Sequence, residues 1–403
     1  MSNTGHFRTK HNVTIPQRFS VDLSYPVLFT HNIFALSNPL LYHAFQTSEQ
    51  QTKKLFCTID SEVDKLHPTL KSDLVTYVTS MEGMSHLVDE PWIIPGGEQV
   101  KNTDEWVRKI QKAVHDFGID RHSTIMAIGG GALLDAVGYA AATSHRGIRL
   151  IRVPTTVLAQ CDAALGVKNG INAFGKKNFL GTFTPPEAVF CDYTLLTTLN
   201  DRDWRGGVSE CVKVALLKDP DFFDYLETNA TQLRERSLEA MEPVVYRGAE
   251  LHLEHIATSG DPFELGSSRP LDFGHWSAHK VEQLSNFEIR HGEAVGMGIA
   301  LDATYSYQMG WLDEGDWNRV IGLFENLGLP IFTPYFTANL EYREHSDCLF
   351  KGLDEFREHL GGQLTIMMLK GIGQGEEIHE IDESVMKKSI AVLERRSQDV
   401  ARV

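Results

Sequence analysis

Residues 125–142, IMAIGGGALLDAVGYAAA, run from a short apolar stretch through three glycines into an alanine-rich segment. A short apolar run bounded by glycine reads as a buried strand, and Leu, Ala and Val at helical spacing after it read as a helix. Glycines at such a turn let backbone N–H groups approach a ligand, and the helix N-terminus adds partial positive charge, so a pyrophosphate fits there. The spacing is not GxGxxG, and a tight strand-to-helix turn needs no ligand, so the glycines alone assign none. Outward from this unit the texture repeats: VLFT at 27–30, LFCTID at 55–60, WIIPGGE at 92–98, IRLIRVPTT at 148–156 and AVFCD at 188–192. Strands alternating with helix-length segments predict an α/β fold with a mostly parallel sheet. After about residue 200 the pattern changes to DWRGGVSECVKVALLK, EPVVYRGAELHLEHIATSG and GHWSAHKVEQL, which predicts a mainly α-helical half. The chain is therefore divided into an α/β domain over 1–200 and an α-helical domain over 201–403. A ligand is expected in the cleft they share.

The 403 residues carry 38 Lys plus Arg against 54 Asp plus Glu, a net charge of −16. A nucleic-acid binder needs a broad basic surface, so no nucleic acid and no anionic membrane is expected as partner. Five scattered cysteines, Cys57, Cys161, Cys191, Cys211 and Cys348, form no CxxC pair, as in a reduced cytoplasmic protein. The N-terminal residues lack an apolar signal core, and no apolar run reaches the length of a membrane span. Against the global acidity, Arg146, Arg149, Arg152, Lys168, Lys176 and Lys177 face the single acid Asp162 between residues 146 and 178. Arg149 and Arg152 are read as strand residues solvated on an exposed face. The lysines in GVKNG and GKKN, set among glycines and asparagines, read instead as an anion site suited to phosphate.

In the second half, SECVKVALLK places Glu210 and Lys213 three apart, on one helix face. DFGHWSAHK and RHGEAVGMG add His275, His279 and His291. Glu plus two His is a catalytic metal set that leaves a position open for a substrate oxygen. Which two of the three histidines bind is open on spacing alone. Without HExxH, a zinc protease of that type is not supported.

Taken together, GGGALLDAVGYAAATSHRG, VPTTVLAQCDAALGVKNGINAFGKKN, SECVKVALLK, DFGHWSAHK and RHGEAVGMG resemble the dehydroquinate synthase-like sugar phosphate cyclases, in order over about residues 55–375. The forms GVKNGINAFGKKN, PLDFGHWSAHK, EFREHLGGQLT and GDPFE are similar to the sedoheptulose 7-phosphate cyclases, the 2-epi-5-epi-valiolone synthases in particular. Dehydroquinate synthases carry GGKTGVN, LNxGHTxGH and a lysine before the histidine motif. Here Asp272 takes the asparagine's place and Glu254 the lysine's. Carboxylates accept from hydroxyls and repel a carboxylate, so both changes favour a polyhydroxyl substrate.

The resemblance implies zinc, with cobalt as a substitute, on Glu210, His275 and His291. It implies NAD held by Asp60, Glu98, Lys101, Gly130, Gly131, Asp135, Thr155, Thr156, Asp162, Lys168, Lys177, Leu195 and Thr198. Substrate and phosphate would be met by Arg146, Lys168, Asn178, Lys213, Asp272, His279, His359 and Lys370, with Arg146 acting across a homodimer. The implied reaction converts sedoheptulose 7-phosphate to 2-epi-5-epi-valiolone: transient oxidation by NAD, phosphate elimination, reduction, ring opening and aldol closure. The alternatives are 2-epi-valiolone, desmethyl-4-deoxygadusol or 3-dehydroquinate synthesis, or a metal-dependent polyol dehydrogenase of the glycerol dehydrogenase type.

Overall fold

The computed structural model describes residues 14–46, 53–81, 83–258, 263, 270–359 and 362–400. Its first half is built on seven parallel strands: β1 (Val27–Thr30), β2 (Lys53–Asp60), β3 (Ser85–Leu87), β4 (Trp92–Ile94), β5 (Thr124–Gly129), β6 (Arg149–Pro154) and β9 (Ala188–Asp192). They are ordered β1-β9-β6-β5-β2-β3, with β4 pairing the last residues of β2. Every residue of β5 is buried, as is every residue of β2 but Lys54. That is why these strands read as unbroken apolar runs: helices cover both faces of a parallel sheet. Helices Leu40–Phe45 and Leu70–Ser80 pack on one face, and Glu105–Asp116 and Gly131–Thr143 on the other.

All six apolar runs picked out by sequence lie in this sheet. The chain adds two antiparallel hairpins that the pattern did not announce, β7–β8 (Lys168–Ala173 and Lys176–Phe183) and β10–β11 (Ile366–Gly371 and Gln374–Ile378). The first is the lysine- and glycine-rich segment itself. It packs on helix Gly131–Thr143 and reaches the second half of the chain through Lys177 and Lys176, which pair with Glu282 and Glu358.

The second half is mainly helical, with Asp201–Lys218, Leu238–Thr258, His275–Leu284, His291–Gln308, Glu314–Leu327, Lys351–His359 and Glu383–Val400. Helix His291–Gln308 is central, buried without a break from Ala294 to Ser306. Two glycine crossings let its neighbours reach backbone contact. A Cβ on Gly292 would lie 2.2 Å from the carbonyl oxygen of Gly206, and one on Gly298 would lie 2.0 Å from that of Gly274. The first crossing brings His291 beside Glu210, and the second brings His275 to the same place. Among the described residues, no helix is long and apolar enough to cross a membrane, and all five cysteines are buried without disulfides.

Candidate active site

Glu210, His275 and His291 converge where these helices meet. The Nε2 atoms of His275 and His291 lie 3.4 and 3.2 Å from Glu210 Oε1. On the far side of each ring, Nδ1 is already engaged. His275 Nδ1 lies 3.1 Å from the Phe273 carbonyl and His291 Nδ1 lies 3.2 Å from Glu282 Oε2. A ring that donates through Nδ1 presents the Nε2 lone pair, the arrangement of a metal-bound imidazole. Glu210 Oε2 is buried without a partner in hydrogen-bond geometry, although Lys213 pairs with it by charge. Burial pushes the Glu210 carboxyl up, but Lys213, His275 and His291 outweigh it and hold it well below the usual carboxylate range. Burial pushes His291 down, yet Glu282 and Glu210 outweigh that and raise it to about 9. An imidazole set between two carboxylates needs two protons, or one proton and a metal, so the donor set fits a divalent ion.

His279 also approaches, its ring 5.4 Å from His275 and 6.1 Å from His291, open to the cleft. His279, Glu282 and His291 form a second convergence of possible ligands. There both Glu282 oxygens are engaged, by Lys177 and by His291, so the Glu210 set is the better fit.

The carboxyl ends of β2, β5 and β6 form the other wall. Asp60 caps helix Ser61–Leu66; a Cβ on Gly129 would lie 3.1 Å from the Asp60 Cβ, and one on Gly96 would overlap its carboxylate at 2.0 Å. Gly130 begins helix Gly131–Thr143 with no side-chain cap, so the first N–H groups of this helix are available to an anion. Thr155 donates to the Gly129 carbonyl, and the Thr156 methyl group lies beside Gly130. Lys101, 3% exposed, bridges Asp135 Oδ2 at 2.7 Å and Asn178. Glu98 accepts from Asn172, whose Oδ1 in turn accepts the Asn178 N–H. These residues shape a crevice at the strand ends, where open α/β sheets bind nucleotides.

Between the two walls stand Asp162, Lys168, Lys213 and Asp272. Burial lowers Lys213, but Glu210, Asp162 and Asp272 outweigh it and raise it. Asp162 pairs with His252 Nδ1 at 3.2 Å; burial first, then Lys213 and Lys168, disfavour the protonation of His252 against the pull of Asp162 and Glu210.

Several expected positions fall elsewhere. Lys370 Nζ sits 4.4 Å over the Trp311 ring and 3.5 Å from Glu376. Trp311 packs on Tyr305, near the far end of the helix that His291 begins and about 21 Å along it, so Lys370 does not reach the cluster. Glu254 is exposed beside Lys218, on the face of its helix away from His252. Leu195 is a core residue, leaving only its backbone for a ligand, and Thr198 Oγ1 is engaged by His67 at 2.7 Å. Lys177 pairs with Glu282 rather than lying open for a nucleotide. Arg146 lies between the C-terminal end of helix Gly131–Thr143 and the start of β6, at the amino ends of the strands and so opposite the crevice. The solvent reading of the strand arginines is corrected. Arg149 pairs with Glu187, while Arg152 is 1% exposed and donates to the carbonyls of Ala164, Gly166 and Lys168 and to Asn169. The two are three apart on a strand and so point to opposite faces. The His359 side chain and all of GDPFE except Phe263 lie outside the described residues.

Sequence reading also passed over Glu282, His252 and Asn172. Glu282 was within reach, because it follows His275 by seven residues and so shares its helix face.

Comparison with known proteins places this geometry. Residues 91–206 match the 3-dehydroquinate synthase N-terminal model and 207–347 the C-terminal one. The 3-dehydroquinate synthase of Caldanaerobacter subterraneus subsp. tengcongensis is 32% identical over 367 residues, covering 90% of this chain and 96% of the relative. A 3-dehydroquinate synthase of Geobacter sp. strain M21 is 39% identical over 66% of this chain and 72% of the relative. Among solved structures, a 2-epi-5-epi-valiolone synthase from Streptomyces hygroscopicus subsp. jinggangensis 5008, with NAD+ and Zn2+ bound, superposes with a TM-score of 0.82. It is 29% identical, over 95% of this chain and all of that one. A probable glycerol dehydrogenase from Sinorhizobium meliloti 1021, 14% identical with a TM-score of 0.57 over 93% of this chain and 98% of that one, shares the fold. Two adjoining domain models and a relative matched over nearly its whole length carry the same conclusion: this chain belongs to the 3-dehydroquinate synthase family.

Proposed function

We propose that the protein is an NAD- and metal-dependent sugar phosphate cyclase that converts sedoheptulose 7-phosphate to 2-epi-5-epi-valiolone with release of phosphate. The observation that carries the choice of substrate is Asp272 beside Lys213, a carboxylate at the place where dehydroquinate synthases hold an amide. A carboxylate there accepts from sugar hydroxyls and opposes a substrate carboxylate. The likeness to the 2-epi-5-epi-valiolone synthase over that chain's full length supports the same reading. The metal would rest on Glu210, His275 and His291 and the dinucleotide along Asp60, Gly130, Gly131, Thr155 and Thr156. When bound, the metal polarises a substrate hydroxyl oxygen and the nicotinamide takes and later returns a hydride.

The chain's own residues do the rest. Lys213, Lys168 and His279 hold the phosphate, and the two lysines offset the charge that grows as its C–O bond breaks. The departing phosphate's own oxygen takes the neighbouring proton, so no separate base is needed. Lys101, fixed by Asp135, holds Asn178 at the floor of the cleft. Arg146 lies about 20 Å from the crevice, the length of helix Gly131–Thr143. Its part in phosphate binding therefore requires a homodimer. We place the enzyme in the cytoplasm.

The test is direct. Purified protein with trace NAD and zinc should release phosphate from sedoheptulose 7-phosphate and give a valiolone-type cyclitol by NMR. Release only from the dehydroquinate precursor would overturn the assignment, and net NADH accumulation with a polyol would point to a dehydrogenase.

A further inference from the structure

Glu282 joins the two halves of the chain at the cluster. It is 3% exposed, two turns along the helix that His275 begins. Its Oε1 accepts from Lys177 Nζ on β8 at 2.7 Å, and its Oε2 faces His291 Nδ1 at 3.2 Å. Both oxygens are engaged, so the carboxylate has one orientation. Beyond His291 the line continues through Nε2 to Glu210, and beyond Lys177 the next residue, Asn178, meets Lys101 and Asn172.

We propose that Glu282 is the positioning residue for His291, and that through Lys177 it couples hairpin β7–β8 to the metal cluster. This rests on the reading of Glu210, His275 and His291 as metal ligands. A carboxylate on Nδ1 keeps the proton on that nitrogen, turns the ring and leaves Nε2 for the ion, and such outer partners set ligand affinity. Because Glu282 is itself anchored by an ammonium group from the nucleotide-binding half, a displaced hairpin releases one of its two oxygens. His291 then loses its fixed orientation.

The test compares Glu282→Gln, Lys177→Met and His291→Ala with wild type. Zinc affinity is read by competition with a chromophoric chelator, coordination geometry from the visible spectrum of the Co2+ form, and folding from the melting of the metal-free proteins. Glu282→Gln should lower zinc affinity by about 10- to 100-fold, shift the Co2+ bands, and melt near the wild-type temperature. Lys177→Met should give a smaller loss in the same direction and carries the test if Glu282→Gln does not fold. Zinc bound as tightly as by wild type, with unchanged Co2+ bands in both variants, would overturn the proposal. Undiminished zinc binding by His291→Ala would overturn the ligand assignment itself, and this arm separates the two failures.

Discussion

Glu210 remains ionised in a buried place because Lys213, His275 and His291 outweigh the cost of its burial, and an ionised carboxylate beside two imidazoles is the donor set that a divalent ion would take. On the proposed assignment His275 supplies one of three donors. Replacing it with Ala should abolish stoichiometric zinc, read by metal analysis after gel filtration, and phosphate release with it. A metallated, active His275→Ala protein would remove that residue from the ligand set. At this scale the convergence of Glu210, His275, His279 and His291 was legible from their short motifs, while the choice among the three histidines came from the resemblance and not from spacing. Arg152 was not legible. Its fate depends on residues 164–169 folding back over β6, a contact that the strand's own pattern does not encode. Lys370 failed for the related reason that its strand leads away along the central helix, toward Trp311.

Among elements, the decisive one is the crossing of helix His275–Leu284 over helix His291–Gln308. Gly274 takes φ +79°, a left-handed conformation that glycine adopts without strain, and its N–H donates to Asp302 Oδ2 at 3.1 Å. Trp276 Nε1 donates to Asp302 Oδ1 at 2.9 Å. Asp302 thus clamps the residues on either side of His275. Burial raises this carboxyl to about 7, so the folded chain keeps a proton that the unfolded chain has lost above its ordinary carboxylate value. A raised folded pKa gives stability that is full below the unfolded pKa and is lost as pH rises through about 7. Asp302→Asn should therefore melt below wild type by a wider margin at pH 5 than at pH 8, the margin narrowing as pH rises toward about 7. A margin that does not change with pH would contradict this account. The helices themselves follow from sequence, but the crossing does not: nothing in RHGEAVGMG tells which backbone its glycines will meet. Hairpin β7–β8 was hidden for a similar reason, since its lysines and asparagines mark chemistry more strongly than strand alternation.

At the scale of the whole molecule, the net charge of −16 conceals a segment from Arg146 to Asn178 with six cations and one acid, leaving −21 for the remainder. Structure divides that segment again. Lys168 and Lys177 stand at the cleft, Arg149 and Arg152 hold the fold, and Arg146 lies at the opposite end of the strands from the crevice of its own chain. With φ +65° and a glycine next to it, Arg146 sits in the turn that leads into β6, at the amino ends of the strands. A phosphate role for it is possible only in a second copy, and that geometry yields a test independent of any interface model. Arg146→Ala and His275→Ala should each be nearly inactive alone. In a hybrid dimer, the subunit carrying Arg146→Ala keeps its metal ligands and receives an intact arginine from its partner, so one of the two sites works. Unfolding and refolding an equal mixture should restore about a quarter of wild-type phosphate release, since half the dimers are hybrids with one competent site. An arginine acting within its own chain would restore none, because no subunit in the mixture would then carry both intact residues.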